Sequence, residues 1–442
     1  MSADLALVSG TRGARAPAGA RAADQPGVLD HVAVFAFGLS LQFNVLTATF
    51  GLPFLRLSDL VPFLVIPYLC LRTDFVARAL DNAPRLGVVL ALMVPVLFLK
   101  TDKGPGDLYN TLVLALYFIL ALQILTVRGG GLLPALCVGI LVGYFGSLAV
   151  LLAAGAGVDL EPYGLAVPID VTTDPLEISF RQDKLGGLWS SGNQTGHIFA
   201  AAGAAALYLT LRTRFKIFYL AYFMGLIVSF PLTNNRAGLL APVLGLIFMM
   251  RRELKLWQFI ALGAVVGAVA LYVGTTGINP LPAALADAVE KRLYGDSHLD
   301  GNVSERFGSG FDALGLIVRN PFGIGILAME NTLMALAGVP TPHNGILSLA
   351  LMSGLPVALF YVMGLFQTVA GGPRACGWFV YLTVLFSTPS MFFEQLTETQ
   401  YFLFVIAVVL AAWTVRGGTW GTLPHPHRDA PTPTNPTGGA VR

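Results

Sequence analysis

The stretch GLLPALCVGILVGYFGSLAVLLAA, residues 131–154, carries no charged side chain. A helix needs about 20 mainly apolar residues to cross the hydrocarbon core of a bilayer, and this stretch is long enough. The rest of the chain is similar, because 55% of its 442 residues are hydrophobic and only 12% are charged. Soluble domains carry about 25% charged residues. So few charges cannot cover a globule of this size in water, and the composition predicts an integral membrane protein.

Apolar runs of comparable length recur along the chain. We identify twelve candidate spans, near residues 31–51, 57–71, 85–99, 108–127, 131–154, 191–211, 215–232, 237–250, 256–276, 344–370, 375–392 and 400–415. The predicted fold is therefore an all-α polytopic membrane protein with about twelve transmembrane helices. Its membrane domain covers residues 29–416, between a disordered N-terminal segment, 1–28, and a disordered Pro-rich tail, 417–442.

Lysines and arginines are concentrated in alternate connections between these spans. Short loops rich in Lys and Arg stay in the cytoplasm. With twelve spans, all seven basic clusters fall on one side, which predicts that both termini are cytoplasmic. The clusters are Arg12, Arg15 and Arg21; Arg72, Arg78 and Arg85; Arg128; Arg212, Arg214 and Lys216; Arg251, Arg252 and Lys255; Arg374; and Arg416.

Composition also excludes several classes of protein and site. The first 28 residues contain no long apolar core, so they do not form a cleavable signal peptide. The three cysteines, Cys70, Cys137 and Cys376, lie in or beside apolar runs and form no CxxC motif, which favours buried thiols over a disulfide or a zinc site. The net charge of +2 gives no indication of nucleic-acid binding.

Two long connections, near 155–190 and 277–343, lie on the face opposite the basic loops. Long loops of this kind are usually functional. Part of the second, SERFGSGFDALGLIVRNPFGIG, residues 304–325, has the periodicity of an amphipathic helix. We expect Ser304 to cap it, Asn320-Pro321 to end it, and its apolar face to lie on the membrane interface or over a cavity. That face would carry Phe307, Phe311, Leu314 and Val318.

Spans six, eight and ten begin on this outer face with polar segments. These are SSGNQTGH, residues 190–197, TNNRAG, residues 233–238, and TPHNG, residues 341–345. An asparagine stands at each helix start: Asn193, Asn234 or Asn235, and Asn344. Asparagine is a good N-cap, so each residue either caps its helix or contacts a ligand, and the sequence leaves both roles open.

Two ionisable residues lie in the same segments. A cation in the first turn of a helix opposes the helix dipole, so Arg236 is either part of an anion site or a side chain that reaches the head groups. Pro342 fixes the approach to His343, which we expect in the first helical turn as a general base or a hydrogen-bonded bystander. No span carries a Lys, Arg, Asp or Glu near its middle, which argues against an ion-coupled transporter.

Motifs for metals and nucleotides are missing from the sequence. The outer face has no DxD-like acidic pair, and the chain contains neither HExxH nor GxxxxGK[ST]. The glycine turn FGIGIL, residues 322–327, is not a nucleotide fingerprint. No metal-binding set is therefore visible in the sequence.

Several of these segments, taken together, resemble the O-antigen ligase and polymerase family. The resemblance is carried, in chain order, by KLGGLWSSGNQTG (184–196), TNNRAGLLA (233–241), SERFGSGFDALGLIVRNPFGIGI (304–326) and PHNGILSLALMSGLP (342–356). The His-Asn motif followed by Gly354 is its most specific part. The resemblance implies a membrane glycosyltransferase of the C-type architecture, working on the periplasmic face of the bacterial inner membrane.

The family resemblance also implies the substrates. The donor would be a polysaccharide on undecaprenyl diphosphate, and a hydroxyl of the acceptor would attack its anomeric carbon. The resemblance implies that this reaction needs no nucleotide sugar, metal or other cofactor. In a ligase the acceptor is lipid A–core, and in a polymerase it is another glycan. The long loop just before the His-Asn motif and the twelve spans favour the ligase. The alternative outside the family is a non-enzymatic transporter of lipid-linked sugars.

Residue roles follow from the same resemblance. His343 would be the general base, Arg236 would hold the diphosphate, and Arg306 would be a second contact to the diphosphate or donor. The chain has Lys184 where many members have arginine, and Arg181 nearby can substitute for it.

The remaining substrate-binding candidates are asparagines. Asn193 and Asn344 occupy matching segments. Asn234-Asn235 precede Arg236 where the family commonly has a serine, a departure that removes no required charge.

Overall fold

The computed structural model describes most of the predicted membrane domain. The described residues are 26–43, 57–70, 84, 87–88, 91, 105–126, 131–156, 158–160, 186–189, 192–233, 235, 237–251, 299–338, 341–393 and 400–414. Most of both predicted tails, most of the loop at 155–190 and the first part of the loop at 277–343 lie outside these residues.

Helices account for all the regular structure in the described part of the chain. There are thirteen, which we number in chain order. They are α1 (Val28–Ser40), α2 (Leu57–Cys70), α3 (Pro105–Thr126), α4 (Leu133–Gly155), α5 (Gly192–Thr213), α6 (Ile217–Thr233), α7 (Ala237–Arg251), α8 (Leu299–Arg319), α9 (Ile326–Ala337), α10 (Gly345–Ser353), α11 (Leu355–Cys376), α12 (Trp378–Phe393) and α13 (Gln400–Thr414). The all-α prediction is confirmed for these residues.

Two described helices are long and apolar enough to cross a membrane, judged by length and composition. They are α4 and the segment Leu355–Pro373 of α11. Shorter apolar helices of 10–17 residues occur at Val28–Ser40, Leu112–Leu125, Ile217–Phe230, Gly238–Met249, Trp378–Phe392 and Gln400–Trp413. Helices are found at ten of the twelve predicted spans, while the span at 256–276 and most of that at 85–99 lie outside the described residues.

Glycines bring α1 and α4 together along what we call the glycine seam: Gly38, Gly139 and Gly143. A Cβ at Gly139 would overlap the carbonyl oxygen of Phe35, and one at Gly143 would lie 2.7 Å from that of Leu39. The two backbones therefore pack directly against each other. Small residues allow the same close approach between helices in membranes.

The consecutive helices α4, α5 and α6 alternate in direction. Tyr144 on α4 donates to the carbonyl of Tyr222 on α6 at 3.0 Å, and Gly155 packs on Leu232, so α4 and α6 are parallel. By contrast, the Tyr222 hydroxyl donates to Ala200 at 2.9 Å and the Tyr219 N–H donates to Thr210 at 3.2 Å. Helix α5 is therefore antiparallel to α6, which is the relation predicted for spans five, six and seven.

Large apolar side chains are exposed in stripes on the outside of the bundle. The stripe on α11 consists of Leu359, Val362, Met363, Phe366 and Val369, and that on α6 includes Leu220, Met224, Ile227 and Val228. Their spacing follows the helical repeat, so each stripe forms one continuous apolar face.

Helix α8 has the predicted amphipathic character but starts earlier. It begins at Leu299, so the expected N-cap, Ser304, is wrong and this residue lies inside the helix. The predicted apolar face is confirmed for Phe311, Leu314 and Val318, which are exposed on one side. The other side buries Ala313, Leu316 and Ile317. The side chain of Phe307 lies outside the described residues.

The predicted span at 344–370 is two helices. The short α10 ends at Ser353, and Gly354 adopts φ +93° before α11 begins. This positive φ is strained for residues with a side chain and is natural for glycine. Apolar residues continue with the same periodicity on both sides of Gly354, so the sequence pattern gave no sign of the break.

Candidate functional site

Several helix ends meet at one end of α12. Helices α5 and α12 are antiparallel, because Tyr208 packs on Phe379 with ring centroids 5.7 Å apart, while His197 contacts Ser390. The start of α7 packs on the start of α5, since a Cβ at Gly238 would lie 2.8 Å from the Gly196 carbonyl oxygen. The starts of α5 and α7 therefore lie beside the last turn of α12.

Helix α10 begins at the same place. A Cβ at Gly345, its first residue, would lie 3.1 Å from the carbonyl oxygen of Met391 on α12. We call the starts of α5, α7 and α10, with the last turn of α12, the helix-end junction. The structure thus brings together three segments that the sequence separates by many residues.

Asparagines link these starts, in partly different roles from those predicted. Asn193 is the second residue of α5, so capping by its side chain at the helix start is wrong. Its backbone carbonyl accepts a hydrogen bond of 2.8 Å from Nδ2 of Asn235, which is buried. Oδ1 of Asn235 accepts from the Gly238 N–H at 2.9 Å, the bond expected of an N-cap. Asn235 therefore caps α7 and fastens it to α5.

Asn344 is confirmed as an N-cap. Its Oδ1 accepts hydrogen bonds from the N–H groups of Ile346 at 3.0 Å and Leu347 at 3.1 Å. Its Nδ2 reaches the carbonyl of Phe392 on α12 at 3.4 Å. The amide oxygen is thus occupied by capping.

His343 precedes this cap, so its predicted place in the first helical turn is wrong. Its φ is +48°, in the left-handed region. Residues with a side chain rarely adopt this region, and when they do they are often found at functional sites. The backbone therefore turns at His343, before α10 begins.

Helices α8 and α10 bring Arg306 and His343 to the same level. A Cβ at Gly310 on α8 would lie 4.0 Å from Cδ1 of Leu347 on α10. Arg306 precedes Gly310 by one helical turn, and His343 precedes Leu347 by the same number of residues. The residues after α8 bond to the residues after α10, so the two helices run in the same direction. The backbone positions of Arg306 and His343 therefore lie at the same end of this contact; the side chain of Arg306 is outside the described residues.

Two glycine turns hold α8 and α10 in this relation. The Ile324 N–H donates to the carbonyl of Leu351 at 2.6 Å, and the Leu355 N–H donates to that of Pro321 at 2.8 Å. A Cβ at Gly323, where φ is +80°, would lie 2.7 Å from the Gly354 nitrogen. The backbone of the FGIGIL turn is thus hydrogen-bonded to the backbone on either side of the break between α10 and α11.

His197 is the site residue that sequence reasoning missed. It is 2% exposed, and its Nδ1 shares a hydrogen bond of 3.0 Å with Oγ of Ser390, which is 1% exposed. Its position one turn after Asn193 places it on the same helical face and is a signal the sequence does contain. The residues around Ser390 in the sequence do not indicate this role, because only the folded chain brings Ser390 near His197.

The other positively charged residues predicted for the site lie outside the described residues. Arg236 directly follows Asn235 in the chain but lies outside the described residues, as do Arg181 and Lys184. Among the residues with described positions, no group of three or more His, Cys, Asp or Glu side chains could hold a metal ion.

No protein-family model matches the chain, and no curated protein matches it either.

Proposed function

We propose that this chain is a polytopic membrane glycosyltransferase of the O-antigen ligase type. It transfers a polysaccharide from undecaprenyl diphosphate to a hydroxyl of lipid A–core on the periplasmic face of the inner membrane. The helix-end junction is the observation that carries the proposal. It gathers described residues of three segments that resemble one family, namely 192–196, 235 with 237–241, and 342–356, although long stretches of chain separate them.

The exposed apolar stripes support immersion in lipid. Contiguous apolar patches larger than a few hundred Å² are rare on soluble monomers. The stripes on α6 and α11 run along the outside of the bundle. Lipid is the solvent in which such faces are stable, and α4 and α11 have the length to cross it.

The reaction needs a base and an electrostatic clamp. The His343 imidazole takes the proton of the acceptor hydroxyl, whose oxygen forms a bond to the anomeric carbon of the donor. The bond from that carbon to the diphosphate oxygen breaks, and undecaprenyl diphosphate leaves. Arg236 and Arg306 stabilise the negative charge on the leaving group. The proton on His343 then passes to water.

Complementation of a knockout strain tests the proposal. His343→Ala and Arg236→Ala are each expected to abolish glycan transfer while the protein remains folded in the membrane. Two controls remove the same residue types outside the helix-end junction. They are His31→Ala on α1, whose half-buried imidazole hydrogen-bonds to the Gly27 carbonyl, and Arg319→Ala, which is exposed at the end of α8. Both controls should restore wild-type glycan on lipopolysaccharide gels.

The glycans that accumulate distinguish the alternatives. If lipid A–core loses its glycan and long lipid-linked chains accumulate, the protein is the ligase. If single lipid-linked repeat units accumulate, it is a polymerase. A transporter needs no base, so it retains partial function in His343→Ala. Near-normal glycan from either His343→Ala or Arg236→Ala rules out the proposed chemistry.

A further inference from the structure

The buried pair His197–Ser390 connects two parts of the helix-end junction. His197 belongs to the second turn of α5, and Ser390 lies near the end of α12. Nδ1 and Oγ are 3.0 Å apart, and both side chains are buried. A hydrogen bond between buried groups fixes their separation, because an unsatisfied group in such a place is costly.

On the His197 side, the pair adjoins the segment that carries Arg236. Gly196 packs so closely on Asn235 that a Cβ there would overlap the Asn235 Cβ. Asn235 is also bonded to Asn193 one turn earlier on α5. The position of α5 therefore determines the position of the residue that directly precedes Arg236.

On the Ser390 side, the pair adjoins the segment that carries His343. Met391 follows Ser390, and its carbonyl oxygen and side chain lie against Gly345. Gly345 follows Asn344, which bonds to α12 and directly follows His343. The position of the last turn of α12 therefore determines where α10 begins.

We infer that His197 is a positioning residue: its hydrogen bond to Ser390 sets the distance between the Arg236 segment and the His343 segment. This inference rests on the proposed glycosyl transfer, in which the base and the diphosphate clamp act on one donor. A displacement of about 1 Å remote from the reacting atoms can cost roughly 100-fold in rate. The His197 ring is buried and bonded to α12, so it acts on the reaction through the positions of the two segments.

The choice of substitution separates this role from simple packing. The amide nitrogen of asparagine is as many bonds from Cα as Nδ1 of histidine, whereas that of glutamine matches Nε2. Because Nδ1 makes the bond to Ser390, His197→Asn should preserve the positioning and His197→Gln should not. A role that depended on volume alone would favour glutamine, whose side chain is closer in size to histidine.

Hydrogen–deuterium exchange on the purified full-length protein tests the positioning directly. His197→Ala and Ser390→Ala should each increase exchange in residues 235–240 and 341–347, and His197→Asn should restore it. Ser387→Ala is the matched control, since Ser387 is buried on the same helix but donates only to Thr383, one turn earlier. Unchanged exchange in both alanine variants overturns the inference.

Kinetics of glycan transfer provide the second measurement. In His197→Ala and Ser390→Ala, kcat should fall about 10- to 100-fold while KM stays within about twofold, with recovery in His197→Asn.

Wild-type rates in both alanine variants, alongside an inactive His343→Ala, would refute the positioning role and leave the proposed function intact. If the wild-type protein transfers no glycan, the proposed function fails, and the exchange data still decide whether His197 holds the segments. If His197→Ala does not fold, the smaller change in Ser390→Ala decides both measurements.

Discussion

The glycine seam and the helix-end junction use the same residue for different purposes. At the seam, Gly139 and Gly143 lie against the backbone of α1. At the junction, Gly238 also lies against a backbone carbonyl, that of Gly196, but Gly196 itself lies against the polar side chain of Asn235. Close approach between two backbones stabilises a helix pair. Close approach to a polar side chain holds that side chain in one orientation, so the two regions should respond differently to the same substitution.

Gly139→Ala should have the largest effect on stability. Alanine normally stabilises a helix relative to glycine by about 0.5–1 kcal/mol. Here the methyl group would overlap the Phe35 carbonyl oxygen, so α1 and α4 must separate, with an expected net loss of about 1–3 kcal/mol. Thermal unfolding of the detergent-purified protein measures the change. An unchanged unfolding temperature would contradict backbone-to-backbone packing at the seam.

Gly196→Ala should lower activity more than stability. The added methyl group overlaps Cβ of Asn235, so the backbone of this one residue must shift, whereas at the seam the whole of α1 must move. We expect transfer to fall about 10- to 100-fold, because displacement of Asn235 shifts Arg236. Transfer assays and unfolding curves should be collected on the same preparation. A stability loss as large as that of Gly139→Ala, at normal activity, would remove the distinction between the two regions.

Asn344→Ala should have an intermediate effect confined to α10. Loss of an N-cap costs about 1 kcal/mol, and serine caps nearly as well as asparagine. Hydrogen exchange over residues 345–350 should therefore increase in Asn344→Ala and be normal in Asn344→Ser. Glycan transfer measured on both variants then decides between the two roles that the sequence left open for Asn344. Activity that recovers in the serine variant assigns capping. Activity lost in both variants assigns substrate contact.

Gly315→Ala on α8 is the smallest change and the reference for the others. A Cβ at this position meets no atom within 4 Å. Alanine should therefore raise stability by up to about 1 kcal/mol through helix propensity alone. The unfolding curve measures it. A loss of stability here would show that α8 packs against part of the chain outside the described residues.

Local pattern predicted the helices well and the contacts poorly. Apolar runs located α4 and α12, and capping chemistry identified Asn344, because both depend on neighbours in sequence. The break at Gly354 was missed because the residues on both sides of it are apolar. The pairing of His197 with Ser390 was missed because α5 and α12 meet only in the folded chain.

The left-handed backbone at His343 has a counterpart at Arg214, where φ is +64°. Arg214 directly follows α5, and its N–H donates to the Thr210 carbonyl at 2.9 Å, an ordinary way to end a helix. His343 stands before a helix, where its strain, about 1–3 kcal/mol, does not serve helix termination. Glycine would adopt this backbone with less strain. In the proposed glycosyl transfer, this strain is the stability that the chain gives up to hold the base at this point.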